Sequence, residues 1–188
     1  MTKASQPTAA PAIYHLRIEL RDVEPPVWRR VAVPGDISLA QLHGVIQAAM
    51  DWHDLHLHHF SALGSFYGPT REDDADGGLL DERDTRLDRI LPGARRRMDY
   101  LYDFADRWRH AIVVERIEPA DGGGFRCLDG RRAAPPDGCG GPEGYADLLR
   151  AMADAAHPGH ADAVERYGGG FDPERFDAES VNRRMRKG

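Results

Sequence analysis

The chain has 188 residues, 41% hydrophobic and 30% charged, with a formal net charge of −6. That length supports one domain with decorations, and the balance of apolar and charged residues is that of a globular protein, which excludes collagen-like, coiled-coil and membrane-spanning classes. An acidic total opposes long-range attraction to a phosphate backbone, so any nucleic-acid role has to rest on a local basic patch.

Met1 to Pro11 mixes Ser, Thr, Gln, Ala and Pro without periodicity and lacks the charged-then-apolar order of a secretion signal. Residues 1–12 therefore read as a disordered tail, and 13–186 as a single α+β domain. From Ile13, Tyr14, Leu16, Ile18 and Leu20 alternate with His15, Arg17 and Glu19, which predicts a half-buried strand. Glu24-Pro25-Pro26 breaks it, and a second strand follows from Val27 to Val33 as an antiparallel hairpin partner. Ser38-Leu39-Ala40-Gln41 has the form of a capping box, and Leu39, Leu42, Val45, Ile46, Ala49 and Met50 recur at helical spacing, so a helix covers one face of the sheet.

His56 to Leu63 reads as a third strand, and the acid-rich stretch from Arg71 to Asp84 as a solvated loop. Within it Asp74-Ala75-Asp76-Gly77 superficially has the form of a calcium loop but lacks the closing glutamate. Met98, Tyr100, Tyr102 and Phe104 alternate with polar residues, Ala111 to Ile117 is rich in β-branched residues, and Asp103 to Arg107 is short enough to join the two as a hairpin. Residues 119–144, dominated by Gly and Pro, read as an irregular excursion. Helices follow at Pro142 to Ala155, before Gly168-Gly169-Gly170, and from Asp172-Pro173, where proline after an aspartate cap is a start signal. The expected fold is a β-grasp-like mixed or antiparallel sheet in ββαβββ order, with a covering helix and a helical C-terminal extension.

Two constellations could carry chemistry. Trp52 to Phe60 holds His53, His56, His58 and His59; on a strand, His56 and His58 share a face at a spacing that lets two imidazoles bind one metal, or else serve as sheet-surface partners of Tyr and Asp. Tyr102 to His110 places Asp103, Asp106 and His110 around a turn, as ligands or a general base, or as turn-forming aspartates with Trp108 and His110 packed on the sheet. Cys127 and Cys139 are too few for a disulfide framework and read as reduced thiols, with zinc shared with His110 as the alternative. The basic clusters are Arg29-Arg30, Arg95-Arg96-Arg97, Arg131-Arg132 and Arg183 to Lys187. No apolar run approaches the roughly 20 residues that cross a bilayer, so the expected location is the cytoplasm, with no membrane partner.

Tyr14-His15-Leu16-Arg17-Ile18, Glu24 to Arg30, Leu39-Ala40-Gln41-Leu42-His43, His56 to Phe60, Tyr102 to His110 and Cys139 to Tyr145, in this order, resemble the plasmid pRi ORF-three-like family from about Ile13 to Arg184. The resemblance implies an α+β fold, occurrence near plasmids or insertion elements in bacteria and archaea, and no established activity. A transposon-resolvase label, "TnpR-like", travels with some members. Serine-resolvase chemistry is not expected here, because the strand from Tyr14 to Leu20 holds no serine and Ser38 is a helix cap. Relatives often carry glycine at the position of Ala105 and cysteine at that of Ala134. The first expectation is thus a non-enzymatic binding module with a protein or nucleic-acid partner and no cofactor, its sheet face lined by Trp28, His56, His58, Tyr102, Asp103, Asp106, Trp108 and His110. The alternative is a metal-dependent hydrolase, of the phosphodiesterase or nuclease kind, with His56, His58, Asp103, Asp106 and His110 around a divalent ion and Cys127 and Cys139 as further ligands.

Overall fold

A computed structural model describes residues 12–70, 78–120, 122–168 and 170–186. The chain runs through β1 (Ala12–Leu20), β2 (Trp28–Pro34), α1 (Leu39–Met50), β3 (His58–Ala62), β4 (Ser65–Gly68), β5 (Leu79–Asp81), α2 (Leu87–Ile90), β6 (Arg97–Tyr102), β7 (Trp108–Pro119), β8 (Arg126–Arg131), α3 (Gly141–Ala153), α4 (His160–Tyr167) and α5 (Ala178–Met185). The strands form one eight-stranded sheet in the order β5-β4-β3-β6-β7-β1-β2-β8. It is a mixed α+β architecture dominated by that sheet.

The expected ββαβββ order is not confirmed. β1 lies between β2 and β7 and is antiparallel to both, and the β4–β5 contact is the parallel one. A β-grasp sheet instead sets parallel strands side by side at its centre. Three further strands were not foreseen: β4, directly after the third strand, β5, inside the acidic stretch, and β8, inside the Gly/Pro excursion. The third strand starts two residues late, at His58, leaving His56 in a bend. The last helix starts at Ala178 with Asp177 as its cap, while Asp172 instead closes an Asx turn on the Glu174 N–H at 3.0 Å. Ala12, expected in the tail, belongs to β1; residues 1–11 and the Asp74 to Gly77 motif lie outside the described residues.

The first helix forms for the reasons its sequence states. Ser38 Oγ accepts from the Gln41 N–H at 3.1 Å, and the Gln41 side chain accepts from the Ser38 N–H at 3.0 Å. Its apolar stripe shares one cluster with Leu16, Ile18, Val31, Val33, Ile112 and Val114 from the central strands. The helix ends on Asp51 in the left-handed region, and its last carbonyls are capped from elsewhere: Arg29 Nε donates to the Ala49 carbonyl and Arg184 Nε to that of Ala48, both at 2.9 Å. Arg29 is buried, and burial lowers its pKa to about 10, which still leaves it charged at neutral pH. Its guanidinium also donates to the Trp28 and Arg131 carbonyls, binding β2, β8 and α1 at one point.

Candidate functional site

Leu39, His43, Ile46 and Met50 fall at helical spacing on one stripe of α1, so His43 is carried into the core with its apolar neighbours. Beneath it, His58 projects from β3. The two imidazole rings stack with centroids 3.6 Å apart and planes within 5°. Each is held by a carboxylate. His43 Nε2 donates to Asp54 Oδ1 at 2.9 Å, and His58 Nε2 donates to Glu82 Oε2 at 2.9 Å. With Nε2 protonated, His43 Nδ1 accepts from the Tyr100 hydroxyl at 2.8 Å, a tautomer inferred from the network. Gln47 spans the group: its Nε2 donates to the same hydroxyl at 3.2 Å and its Oε1 accepts from the Asp54 N–H at 2.9 Å.

The acids arrive from opposite directions. Glu82 is 5% exposed and sits where the chain leaves β5; its carbonyl accepts from the Ala40 N–H, docking this segment on the first turn of α1. The Asp54 side chain is 61% exposed and gives the cluster its opening to solvent. Burial first, and then the neighbouring His58, lower the pKa of His43 against the opposing pull of Asp54. His43 is therefore neutral at neutral pH.

A second set surrounds Trp52, whose indole N–H donates to the Pro135 carbonyl at 2.9 Å. Tyr102 stacks on it at 5.0 Å, Trp108 tilts against it at 6.1 Å, and His110 meets it edge-on at 5.4 Å. Tyr102, Trp108 and His110 are buried, so they build the core under the helical layer rather than line an accessible surface. His110 is 0% exposed; its Nδ1–H donates to the Trp108 carbonyl at 3.0 Å, and burial lowers its pKa to about 4. Trp28 is on the other face of the sheet, where the Arg17 guanidinium lies 4.3 Å and that of Arg30 5.4 Å from its ring.

The hairpin tip is a built turn. Asp103 Oδ1 accepts from the Ala105 and Asp106 N–H groups, with Asp103 and Arg107 in the left-handed region while Ala105 is not. His56 lies 3.5 Å from Asp103 Oδ2 and 38% of its side chain is exposed. Asp106 turns away, accepting from the Gly140 N–H at 3.2 Å. Gly141 permits that approach: it has φ 69°, and a Cβ there would stand 2.5 Å from the Asp106 carbonyl oxygen.

The seven residues expected to hold a metal do not share a common point. His58 faces His43; His56 pairs with Asp103; Asp106 faces the loop before α3; His110 is sealed in the core. Cys127 is a buried free thiol on β8 whose N–H and carbonyl are both bonded by Asn182. Cys139 is also free, and burial pushes its thiol up to about 12. Among the described residues, the one group of three with donors close enough for a metal is His43, Asp54 and His58. Sequence reasoning missed His43, Asp54, Glu82, Tyr100 and Gln47. One signal was present: His43 and Gln47 sit one turn apart on the apolar side of an amphipathic helix, where unpartnered polar groups are costly. Nothing distinguishes Glu82 from the acids around it until the fold brings it to His58.

Away from this cluster, a cleft of about 720 Å³ opens between the end of α1, residues 133–137, the segment 170–177 and α5. Trp52, Tyr167, Phe171 and Phe176 supply apolar walls, and Arg29, Arg175, Asp137 and Asp172 supply charge of both signs. The Arg29 guanidinium stacks on Phe176 at 4.8 Å.

A family model described as plasmid pRiA4b ORF-3-like protein matches residues 12–180. The "Uncharacterized protein y4hQ" of Sinorhizobium fredii (strain NBRC 101917 / NGR234) is 39% identical over 155 residues, covering 82% of this chain and 80% of that protein. The crystal structure of MM3350, described as a protein of unknown function from Methanosarcina mazei Go1, is similar with a TM-score of 0.82 and 33% identity, over 92% of this chain and 99% of that one.

Proposed function

Because the chain belongs to the plasmid pRiA4b ORF-3-like family, whose relatives above carry no stated activity, we propose from its geometry that it is a non-enzymatic binding module of one domain, working in the cytoplasm on a protein partner. The observation that carries this reading is the cleft. About 720 Å³ falls within the range that ligand-binding clefts occupy, and its mixture of aromatic walls and charges of both signs suits a peptide segment that brings one apolar anchor and polar flanks.

A protein is favoured over a nucleic acid because three of the four basic clusters hold ion pairs within the fold, while Arg95-Arg96-Arg97 is a short exposed run outside those pairs. Arg30 pairs with Glu115 and Asp129, Arg132 with Glu174, Arg183 with Asp177, and Arg184 with Asp51. That confines the positive field to one short run on a chain of net charge −6, a small footprint for a phosphate backbone. No helix among the described residues is long and apolar enough to cross a membrane. Resolvase chemistry is not part of the proposal, and a hydrolase built on His56, His58, Asp103, Asp106 and His110 lacks a common point for its ion.

The test is a peptide library displayed on phage and panned against the full chain. Enriched peptides that lose at least tenfold in affinity on Phe171→Ala and on Arg175→Ala support the cleft as the seat. No enrichment, or peptides indifferent to both substitutions, overturns it. Salt-dependent binding of a single-stranded oligonucleotide in place of peptides would transfer the reading to nucleic acid.

A further inference from the structure

We propose that His43, Asp54 and His58 bind one divalent first-row transition-metal ion, at a site that opens to solvent on the Asp54 side. One donor atom from each of the three lies within 4.8 Å of the other two. Two imidazoles and a carboxylate form a donor set that suits zinc, iron or cobalt, with a position left for water. The site lies outside the lining of the cleft, so the inference stands independently of the peptide-binding reading.

The groups around the three residues are arranged as a metal site requires. A ligating imidazole is held by a hydrogen bond at its other nitrogen, which fixes the ring and raises its basicity. For His58 that bond exists: Nε2 is engaged by the buried Glu82 carboxylate, leaving Nδ1 as the ligating nitrogen. For His43 the Tyr100 hydroxyl occupies Nδ1, leaving Nε2, the nitrogen on which Asp54 already sits. Two carboxylates converge on this partly buried group, and among the described residues no arginine or lysine pairs with either of them. A divalent cation would balance that charge.

The stack itself has to open. In parallel rings the lone pairs run side by side instead of converging, and zinc held at about 2.0–2.1 Å from each nitrogen needs donors roughly 3.3 Å apart. Ligation therefore splays the two rings and draws Asp54 inward. Asp54 is free to do this because it sits on an exposed stretch between α1 and β3. His43 exchanges its proton from Nε2 to Nδ1, which then donates to the Tyr100 oxygen.

Cobalt(II) is the probe, added to untagged full-length protein stripped with a chelator and followed by calorimetry and visible absorption. The expected result is one equivalent bound per chain with the absorption of nitrogen- and oxygen-ligated cobalt. Affinity should fall at least tenfold in Asp54→Asn, by about 10–100-fold in Glu82→Gln, and below detection in His58→Gln. The control His157→Gln, in the turn between α3 and α4, should bind as the parent does. The exposed position of Asp54 keeps Asp54→Asn folded, which circular dichroism checks, so this variant decides the matter if His58→Gln fails to fold. Absence of stoichiometric binding by the parent protein, or parental affinity in Asp54→Asn, overturns the proposal.

Discussion

Protonating His110 should be the sharpest single source of acid sensitivity in this fold. The ring is 0% exposed and its pKa is lowered to about 4 by burial, against about 6.5 in an unfolded chain. Well above the unfolded value of about 6.5 neither state holds the proton and the group contributes nothing to the pH dependence. As pH falls through 6.5 the unfolded chain takes up a proton that the buried ring refuses, so stability declines until the folded ring also protonates near 4. Integrating over that window gives a loss of about 2 kcal/mol by pH 5 and about 3 kcal/mol by pH 4. The perturbation is His110→Leu, which removes the titration while keeping a similar volume among Tyr100, Trp52 and Trp108. Its loss of the bond to the Trp108 carbonyl shifts stability by an amount that does not vary with pH. Urea unfolding of both proteins at about pH 7 and about pH 5 isolates the term: the parent should lose about 2 kcal/mol more than the variant. Parallel losses in the two proteins would refute the reasoning, because they would mean that the folded ring is protonated as easily as the unfolded one.

Tyr100→Phe removes the hydroxyl shared by His43 and Gln47 and should cost about 1–2 kcal/mol in chemical denaturation with the native circular dichroism retained. Gly141→Ala forces a side chain into the left-handed region and against the Asp106 carbonyl; a loss of at least about 2 kcal/mol, measured by thermal unfolding, is expected. Ser38→Ala deletes half of the capping box and should lower stability by about 1 kcal/mol, a value that urea titration resolves.

What the sequence made legible was local. The α1 boundaries follow from one hydroxyl, one amide and an apolar stripe; β1 follows from strict alternation; the β6–β7 hairpin follows from its short turn, with Tyr102 paired to Trp108. Of the two aspartates of that turn, Asp103 could be read as a turn former because it bonds to groups two and three residues away, whereas Asp106 accepts from Gly140, 34 positions on. The features that escaped depend on distant partners. β8, with Asp129 and Gly130 inside it, has no strand signature of its own and exists because β2 supplies the ladder. Glu82 and His43 reach the candidate site from segments far from His58 in sequence, and no spacing rule links them. The last helix misled because Asp172-Pro173 carries a valid start signal, while the cap that operates is Asp177, which accepts from the Glu179 and Ser180 N–H groups.

The earliest of the described strands lies inside the finished sheet, paired on both sides. While the polypeptide is being synthesised, β1 can join β2 almost at once, but its other flank waits for β7; His15 and Glu118, which bond across that seam, are 103 positions apart. Throughout this interval the nascent hairpin displays an apolar ribbon with both borders raw, since the β8 partner of β2 arrives later still, the kind of surface that recruits a second nascent chain or a chaperone. Slow, topology-limited maturation follows from that order of arrival, and coexpressed folding helpers should raise the soluble yield of this protein more than lower temperature alone.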